Sequence, residues 1–349
     1  MAKAPAKKTA AKKAAAKKKT TKVAAEAEVK VKQTKAAAKA APAKKAPAKK
    51  AAAKKAPKKT AAKKAASKKN VSGYGTGGVD VVMSVDQVAK EAASIAANAP
   101  TRDELNKLAK NDPLLRIENL RAGYGKMEIL HDFSLDVASG QSLCLIGPNG
   151  AGKSTVLHSI FGFTNIFSGT ISINGKDVTR LTPSEKLSQA GIAYILQDKS
   201  VFPQMTVEEN LMMGGFLKNK PAEAKAAAEM VFDKYSRLAE RRDKPAGVLS
   251  GGERRLLEIS RALVMNPEVL LVDEPSIGLE PRFIDMVFEI LHDLQHGDGK
   301  TIVMVEQNAK KGLSFADLGY VLVSGETAIA DKGDDLLQNP DVGRLFLGG

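Results

Sequence analysis

The chain has 349 residues, 43% of them apolar, and a formal net charge of +15. That charge is split: residues 1–70 carry 25 Lys, no Arg and 2 Glu, a net +23, whereas residues 71–349 carry 29 basic and 37 acidic side chains, a net −8. This describes a mildly acidic globular protein, long enough for a large core, with a strongly basic tail. The single cysteine, Cys144, excludes an internal disulfide and a cysteine metal cluster, and reads as a packed core thiol. Apolar runs fall short of the ~18 residues of a membrane span. The lysine-rich start lacks the apolar core of a secretory leader and the arginines of an organelle transit peptide.

Residues 1–70 are Ala, Lys and Pro in loose AAKK and APAKK repeats, without an aromatic residue. Such a segment buries too little apolar surface to offset its ordering entropy, so it is predicted to be disordered. It reads either as a solubilising tail or as a non-specific arm for anionic lipid or nucleic acid. With nothing to stack on bases, it is a poor reader of single strands. Its composition resembles linker-histone tails. A glycine-rich link, Gly73 to Gly78, follows. Ser84 with Gln87, and Thr101 with Glu104, have capping-box spacing. They predict two short helices, near 85–98 and 102–110, with Pro100 between them and Pro113 ending the second. Residues 71–113 are read as a linker with a packing or docking role.

From Leu114 the pattern becomes regular. Leu115, Ile117 and Leu120 predict a first strand, with Tyr124 in a loop between Gly123 and Gly125. Ile129 to Val137 read as a strand pair, and Ser139–Gly140 turn the chain into the apolar run Leu143 to Ile146, a buried parallel strand. Then Gly147, Pro148, Asn149, Gly150, Ala151, Gly152, Lys153 and Ser154 fit G-x-x-x-x-G-K-[ST] at every fixed position, with Thr155 next. Glycines allow successive N–H groups to point inward, and the following helix aims its positive end at the same spot. Lys153 adds charge for β- and γ-phosphates, and Ser154 a hydroxyl for Mg²⁺. The match, flanked by the right strand and helix, predicts a nucleoside triphosphate site.

Gly169 to Asn174 alternate as a strand ending in an Asn174–Gly175 hairpin turn. Ile192 to Leu196 predict a strand that ends at Gln197. Thr206 and Glu209 cap a helix through Met213, and Pro221 to Leu238 read as one long helix. Leu249, Ser250, Gly251, Gly252 and Glu253 form a second glycine-rich turn, opening a helix to Met265. An ordinary helix cap explains Ser250 but not the double glycine. One ATP does not need two such helix ends from one subunit, so this one is expected to serve the γ-phosphate of a second ATP across a dimer face. Val269 to Val272 are a buried strand that presents Asp273 and Glu274 at its end. Alone, two acids there would be an ordinary strand end. Downstream of a phosphate loop they read as a metal-supporting carboxylate, through water, and a group that polarises the attacking water. Pro281 to Leu294 are helical, Thr301 to Val305 form a third buried strand followed by Glu306 and Gln307, and a hairpin near Ser324–Gly325 and a short helix close the chain. Strands alternating with helices give an α/β domain with a mainly parallel core sheet, and the helix-rich stretch 206–265 a subdomain on one side.

Over residues 114–349 these motifs resemble, in order, the ATP-binding subunit of ATP-binding-cassette (ABC) transporters. GIAYILQDKSVFP, TVEENL, VDEPSIGLEP and VEQN look closest to the branched-chain amino-acid (Liv-type) importer ATPases. The resemblance implies a P-loop NTPase cassette with a parallel core sheet, an antiparallel β subdomain and a helical subdomain. It implies ATP and Mg²⁺ as ligands and ATP hydrolysis coupled to transport. Tyr124 would stack on adenine, and Gly147 to Thr155 would hold phosphates and Mg²⁺. Gln197 would reach the metal and the water and sense the membrane subunit. Leu249 to Glu253 would complete a partner cassette's site, Asp273 support the metal, and Glu274 act as catalytic base. Gly278 would face the other subunit. Expected partners are membrane permease subunits, a second ATPase subunit in a homo- or heterodimer, and an extracytoplasmic solute-binding protein, at the inner face of the cell membrane. Two positions depart from the wider family. Gln307 stands at the switch histidine, where an amide donates a hydrogen bond but carries no proton. Glu280 stands where Asp is usual. Other readings of the same residues are a soluble ABC ATPase acting on nucleic acid or ribosomes through the tail, and a weakly hydrolysing regulatory cassette.

Overall fold

The computed structural model describes residues 99–197 and 200–347. The basic tail and the helix expected near 85–98 lie outside the described residues. Among the described residues, no helix is long and apolar enough to cross a membrane.

Two sheets organise the chain. The first is antiparallel, in the order β2-β1-β4-β5, from β1 (Pro113–Tyr124), β2 (Met127–Ala138), β4 (Asn165–Ile173) and β5 (Lys176–Asp177). The second has the order β10-β9-β3-β8-β7-β6, from β3 (Ser142–Ile146), β6 (Ile192–Ile195), β7 (Val269–Asp273), β8 (Thr301–Val305), β9 (Leu318–Val323) and β10 (Glu326–Lys332). Its pairings are parallel except for β9 with β10. The α/β class and the mainly parallel core sheet are those expected.

The central strands β3, β7 and β8 are buried at every position, and apolar except for Ser142, Asp273 and Thr301 at their ends, because both their faces are covered. In β3, Cys144 and Ile146 enter one core while Leu143 and Leu145 enter the other. β7 divides Leu270 and Val272 from Val269 and Leu271 in the same way. One core is completed by α7 (Gly251–Leu263) and α8 (Pro281–His296), the other by α2 (Lys153–Phe161) and the antiparallel sheet. Burial pushes the Cys144 thiol well above its ordinary range, consistent with an inert packing role. α2 ends on Lys186, a fully buried side chain in α3 (Pro183–Ser188). Its ammonium donates to Ser159 O and Ile160 O at 3.2 and 2.7 Å, a cation at the negative end of the helix. Desolvation nonetheless brings Lys186 down to about 8.

Four local expectations are corrected. The segment 129–137 is not a strand pair but part of the single strand β2, in which Asp132 takes φ +49 as the register with β1 shifts. Tyr124 closes β1 and is not in a loop. Pro113 opens β1 instead of ending a helix: α1 (Arg102–Leu108) stops earlier, where Lys110 and Asn111 adopt positive φ. The long helix from Pro221 breaks at Tyr235 (φ −124, ψ 84) into α5 (Pro221–Lys234) and α6 (Ser236–Ala239), after α4 (Val207–Gly214). The capping boxes at Thr101, Thr206 and Ser250 all form. The chain ends with α9 (Ala309–Phe315), α10 (Gly333–Gln338) and α11 (Pro340–Phe346).

α1 is bound into the first sheet. Leu105 and Ala109 are buried, and Arg102 donates to Asp136 Oδ1 at 2.8 Å and to Ile117 O at 3.0 Å. Burial raises the Asp136 carboxyl, while Arg102 and Arg116 pull it back down. Arg102→Ala is therefore expected to cost about 1–2 kcal/mol, since Arg116 remains as a partial partner. The loss should be larger at pH 8 than near pH 4, because a protonated Asp136 no longer needs a cation. Thermal unfolding at the two pH values checks this.

Candidate nucleotide site

β3 ends at Ile146, and the chain turns through Gly147–Gly152 into α2 at Lys153. At Gly150 the backbone has φ +83 and an added Cβ would meet nothing, so glycine is required by conformation and not by space. Gly325 N donates to Ala151 O at 2.9 Å and pins the loop from the β9–β10 turn. Asn149, Gly150, Gly152, Lys153, Ser154, Thr155, Ile129 and Glu274 line one cleft of about 280 Å³. A larger cleft, about 1030 Å³, opens at the opposite end of the strands beside Gln141 and Leu318; it gathers none of the motif residues.

Lys153 is 9% exposed and folds back on its own loop, its ammonium 2.9 Å from Gly147 O and 3.0 Å from Pro148 O. Burial lowers its pKa, while Glu274 and Asp273 oppose that shift. Asp273 ends β7 almost fully buried. Its Oδ1 accepts from the Ser154 hydroxyl at 3.2 Å, and its Oδ2 from the Tyr194 hydroxyl at 2.8 Å. Glu274 follows in the left-handed region, at φ +43, a strained place for a side-chain-bearing residue. Its N–H donates to Val305 O at 2.9 Å and holds it there. Its carboxylate accepts from Gln197 Nε2 at 2.7 Å. Burial, then Asp273 and Glu306, raise the Glu274 pKa, and Lys153 lowers it. A hydroxyl, a carboxylate and an amide thus stand round one cationic loop. Such oxygen donors suit a hard divalent cation.

The other motif residues lie apart from this cleft. Tyr124 is 44% exposed and hydrogen-bonds through its hydroxyl to His158 Nδ1. Gln307 is exposed, Gly278 has φ +69, and Glu280 pairs with Arg282 at 3.1 Å. None of Leu249–Glu253 lines the cleft. Ser250 caps α7 and shares Glu253 Oε2 through both its N–H, at 2.9 Å, and its hydroxyl, at 2.8 Å. The double glycine divides in two. A Cβ on Gly252 would lie 2.3 Å from the Phe283 ring, so this glycine is explained by the packing of α7 on α8. Gly251 is exposed and meets nothing closer than 3.9 Å, so packing does not explain it. Gly252→Ala is accordingly expected to destabilise the fold by about 1–3 kcal/mol, and Gly251→Ala to leave thermal stability nearly unchanged. Parallel melting curves of the two variants check this.

The ABC transporter family profile matches residues 130–277. Over 236 residues the chain is 42% identical to the high-affinity branched-chain amino acid transport ATP-binding protein BraG of Pseudomonas aeruginosa, covering 68% of this chain and all of that one. The chain belongs to the ABC transporter family. Its cassette is also 32% identical over 237 residues to the lipopolysaccharide export system ATP-binding protein LptB of Haemophilus influenzae, covering 67% of this chain and 97% of that one. A crystal structure of the ADP conformation of an ABC transporter's ATP-binding cassette superposes with a TM-score of 0.60 at 30% identity, covering 68% of this chain and 99% of that one. The cassette is an ATPase of this family, and it shares the family's nucleotide-binding fold.

Sequence reasoning missed three contributors to the cassette's site. Tyr194 reaches Asp273 from β6. His158, one turn and a half into α2, holds the Tyr124 hydroxyl. Glu306 is 1% exposed and accepts from Ser276 Oγ at 2.6 Å, Ser276 N at 3.3 Å and Asn308 N at 2.9 Å. It ties the turn after Glu274 to the loop carrying Gln307. A charged residue directly after an apolar strand was the available signal for Glu306.

Proposed function

We propose that this cassette is the ATP-hydrolysing subunit of an importer for branched-chain amino acids or related small solutes. Residues 114–349 form the motor, with 206–265 as its helical subdomain. The observation that carries the reading is the division of the site. Lys153, Ser154, Asp273, Glu274 and Gln197 converge, whereas the exposed Ser250–Gly251 helix tip stands clear of them. Two cassettes placed head to tail would bring each tip to the other's γ-phosphate. Closure then differs in free energy between ATP and ADP, and that difference can drive a membrane partner.

In this reading Tyr124 stacks on adenine and the loop amides with Lys153 hold the phosphates. Lys153 leaves the Gly147 and Pro148 carbonyls for phosphate oxygens. Ser154 and Gln197 would hold Mg²⁺ directly and Asp273 through water; when bound, the ion offsets charge on the β- and γ-phosphoryl oxygens. Glu274, held by Gln197, orients water for in-line attack. Gln307 donates to the γ-phosphate.

Docking on a permease is supported by a groove next to Gln197. Leu196, Phe202 and Met213 are each about two-fifths exposed along it, and the Arg261 guanidinium stacks over Phe202 at 5.0 Å. Filling this groove would bear on Leu196 and so on the neighbouring Gln197–Glu274 bond. The place of work is then the inner face of the cell membrane, with a solute-binding protein on the other side. The basic tail acts as a non-specific arm toward anionic lipid or nucleic acid. The likeness to LptB supports a second reading for direction, export in place of import.

The test is isolation of the full chain from its own membranes. Co-isolation with permease subunits, and MgATP-driven pairing of Glu274→Gln cassettes, are the expected results. A cassette that stays single with MgATP and travels only with nucleic acid, lost when residues 1–70 are removed, overturns the transport reading.

A further inference from the structure

We infer that Tyr194 is a positioning residue for Asp273, fixing the carboxylate oxygen that Ser154 does not hold. The inference rests on the site reading above and adds a residue to it.

Asp273 is held by two hydroxyls, one on each oxygen: Ser154 at 3.2 Å and Tyr194 at 2.8 Å. The two hydroxyls carry different loads. The Ser154 oxygen can also offer a lone pair to the divalent cation while its O–H goes on donating to Asp273 Oδ1. The Tyr194 hydroxyl has no such second task. It holds Oδ2 and so keeps the carboxylate from swinging about the Ser154 bond.

The sheet makes the contact possible. β6 and β7 run parallel, with Tyr194 opposite Leu271. Asp273 is two residues beyond Leu271, on the same face of β7. A tyrosine side chain leaning along its strand spans that distance, whereas a shorter polar residue would not.

The ring is itself fixed. It stacks on Phe161 at 5.5 Å with a 27° interplanar angle, and meets Phe163 edge-on at 5.9 Å. His158 lies 5.8 Å away and also holds Tyr124. Phe161 and His158 both belong to α2, the helix that carries Lys153 and Ser154. The hydroxyl is therefore aimed from a rigid cluster built on the same helix, and Asp273 is referenced to that helix through both of its oxygens.

Tyr194→Phe tests this, because it keeps the ring and its stacking and deletes one oxygen. Equilibrium binding of ATP to the full chain is measured with excess EDTA and across a Mg²⁺ titration. The expected result is metal-free ATP affinity within twofold of wild type, and a Mg²⁺ requirement raised ~5–20-fold. Asp273→Asn should absorb most of that effect when combined with Tyr194→Phe. An unchanged Mg²⁺ requirement overturns the inference and leaves Tyr194 as packing. Equal weakening with and without metal overturns it too, since that is the mark of a distorted α2. A wild-type chain whose ATP binding ignores Mg²⁺ would instead remove the metal assignment of Ser154 and Asp273, and the role of Tyr194 with it.

Discussion

Glu274→Gln is expected to slow ATP hydrolysis at least ~100-fold while ATP binding stays within about twofold of wild type. The glutamine keeps the shape, the strained φ of +43 and the N–H bond to Val305 O. It removes only a base. The raised pKa of Glu274 suits that role, because a carboxylate shifted toward neutrality is a stronger base. Its first cause is burial and its second the charge of Asp273. Wild-type turnover should therefore fall, as pH drops, on an acid limb that lies above the ordinary 4.5 of a glutamate. The residual activity of the variant should lack that limb. Stability moves the opposite way. A carboxyl whose folded pKa is raised costs the fold most when ionised, and the cost vanishes below its unfolded pKa. So Glu274→Gln should melt higher than wild type at pH 7–8, with the gap closing toward pH 4. Steady-state turnover, nucleotide binding and melting curves together check the assignment. Unaltered turnover would remove Glu274 from the role of base.

Much of the fold was legible because its signals are local. The runs 143–146, 269–272 and 302–305 are apolar at every position since each strand divides its side chains between two cores. The glycine-rich loop announces itself because its positive-φ positions, Gly147, Gly150 and Gly152, select glycine and are followed at once by Lys153 and Ser154. Capping boxes are read over a four-residue span, and the two expected on described residues, at Thr101 and Thr206, both form, while Thr182 with Glu185 makes one that was not read. What escaped is what folding brings together from a distance. Tyr194 meets Asp273 across 79 residues and Ser276 meets Glu306 across 30. Neither pairing has a periodicity to betray it. α1 read as part of a linker because Leu105 is the one fully buried residue within its span, and the Arg102–Asp136 bond that secures it joins two segments 34 residues apart. Gly252 carries a further constraint that lies outside any local pattern: a Cβ there would lie 2.3 Å from the Phe283 ring of α8.

Lys153→Ala is expected to weaken MgATP binding ~10–100-fold, the worth of a charge-assisted contact to phosphate in a partly desolvated site. The apo protein separates this loss from simple misfolding. There Lys153 bonds two carbonyls of its own loop, which favours the fold. Yet burial depresses its pKa, so the ammonium is held at a cost at every pH below its folded value. These terms oppose each other, and the melting temperature without nucleotide should move little at pH 7. The sign with pH is fixed by linkage. The cost of the buried charge fades as pH rises from the folded pKa toward the ordinary 10.5, so the variant's relative stability should be best at neutral pH and decline in alkali. Lys153→Arg is the sharper control. It keeps the charge, but a planar guanidinium cannot follow the folded path of a lysine chain only 9% exposed, and it too should lose affinity. Calorimetric titration with MgATP measures both variants. Wild-type affinity in Lys153→Ala would mean that the cradle around Gly150 binds no phosphate through this lysine, whatever its resemblance to one that does.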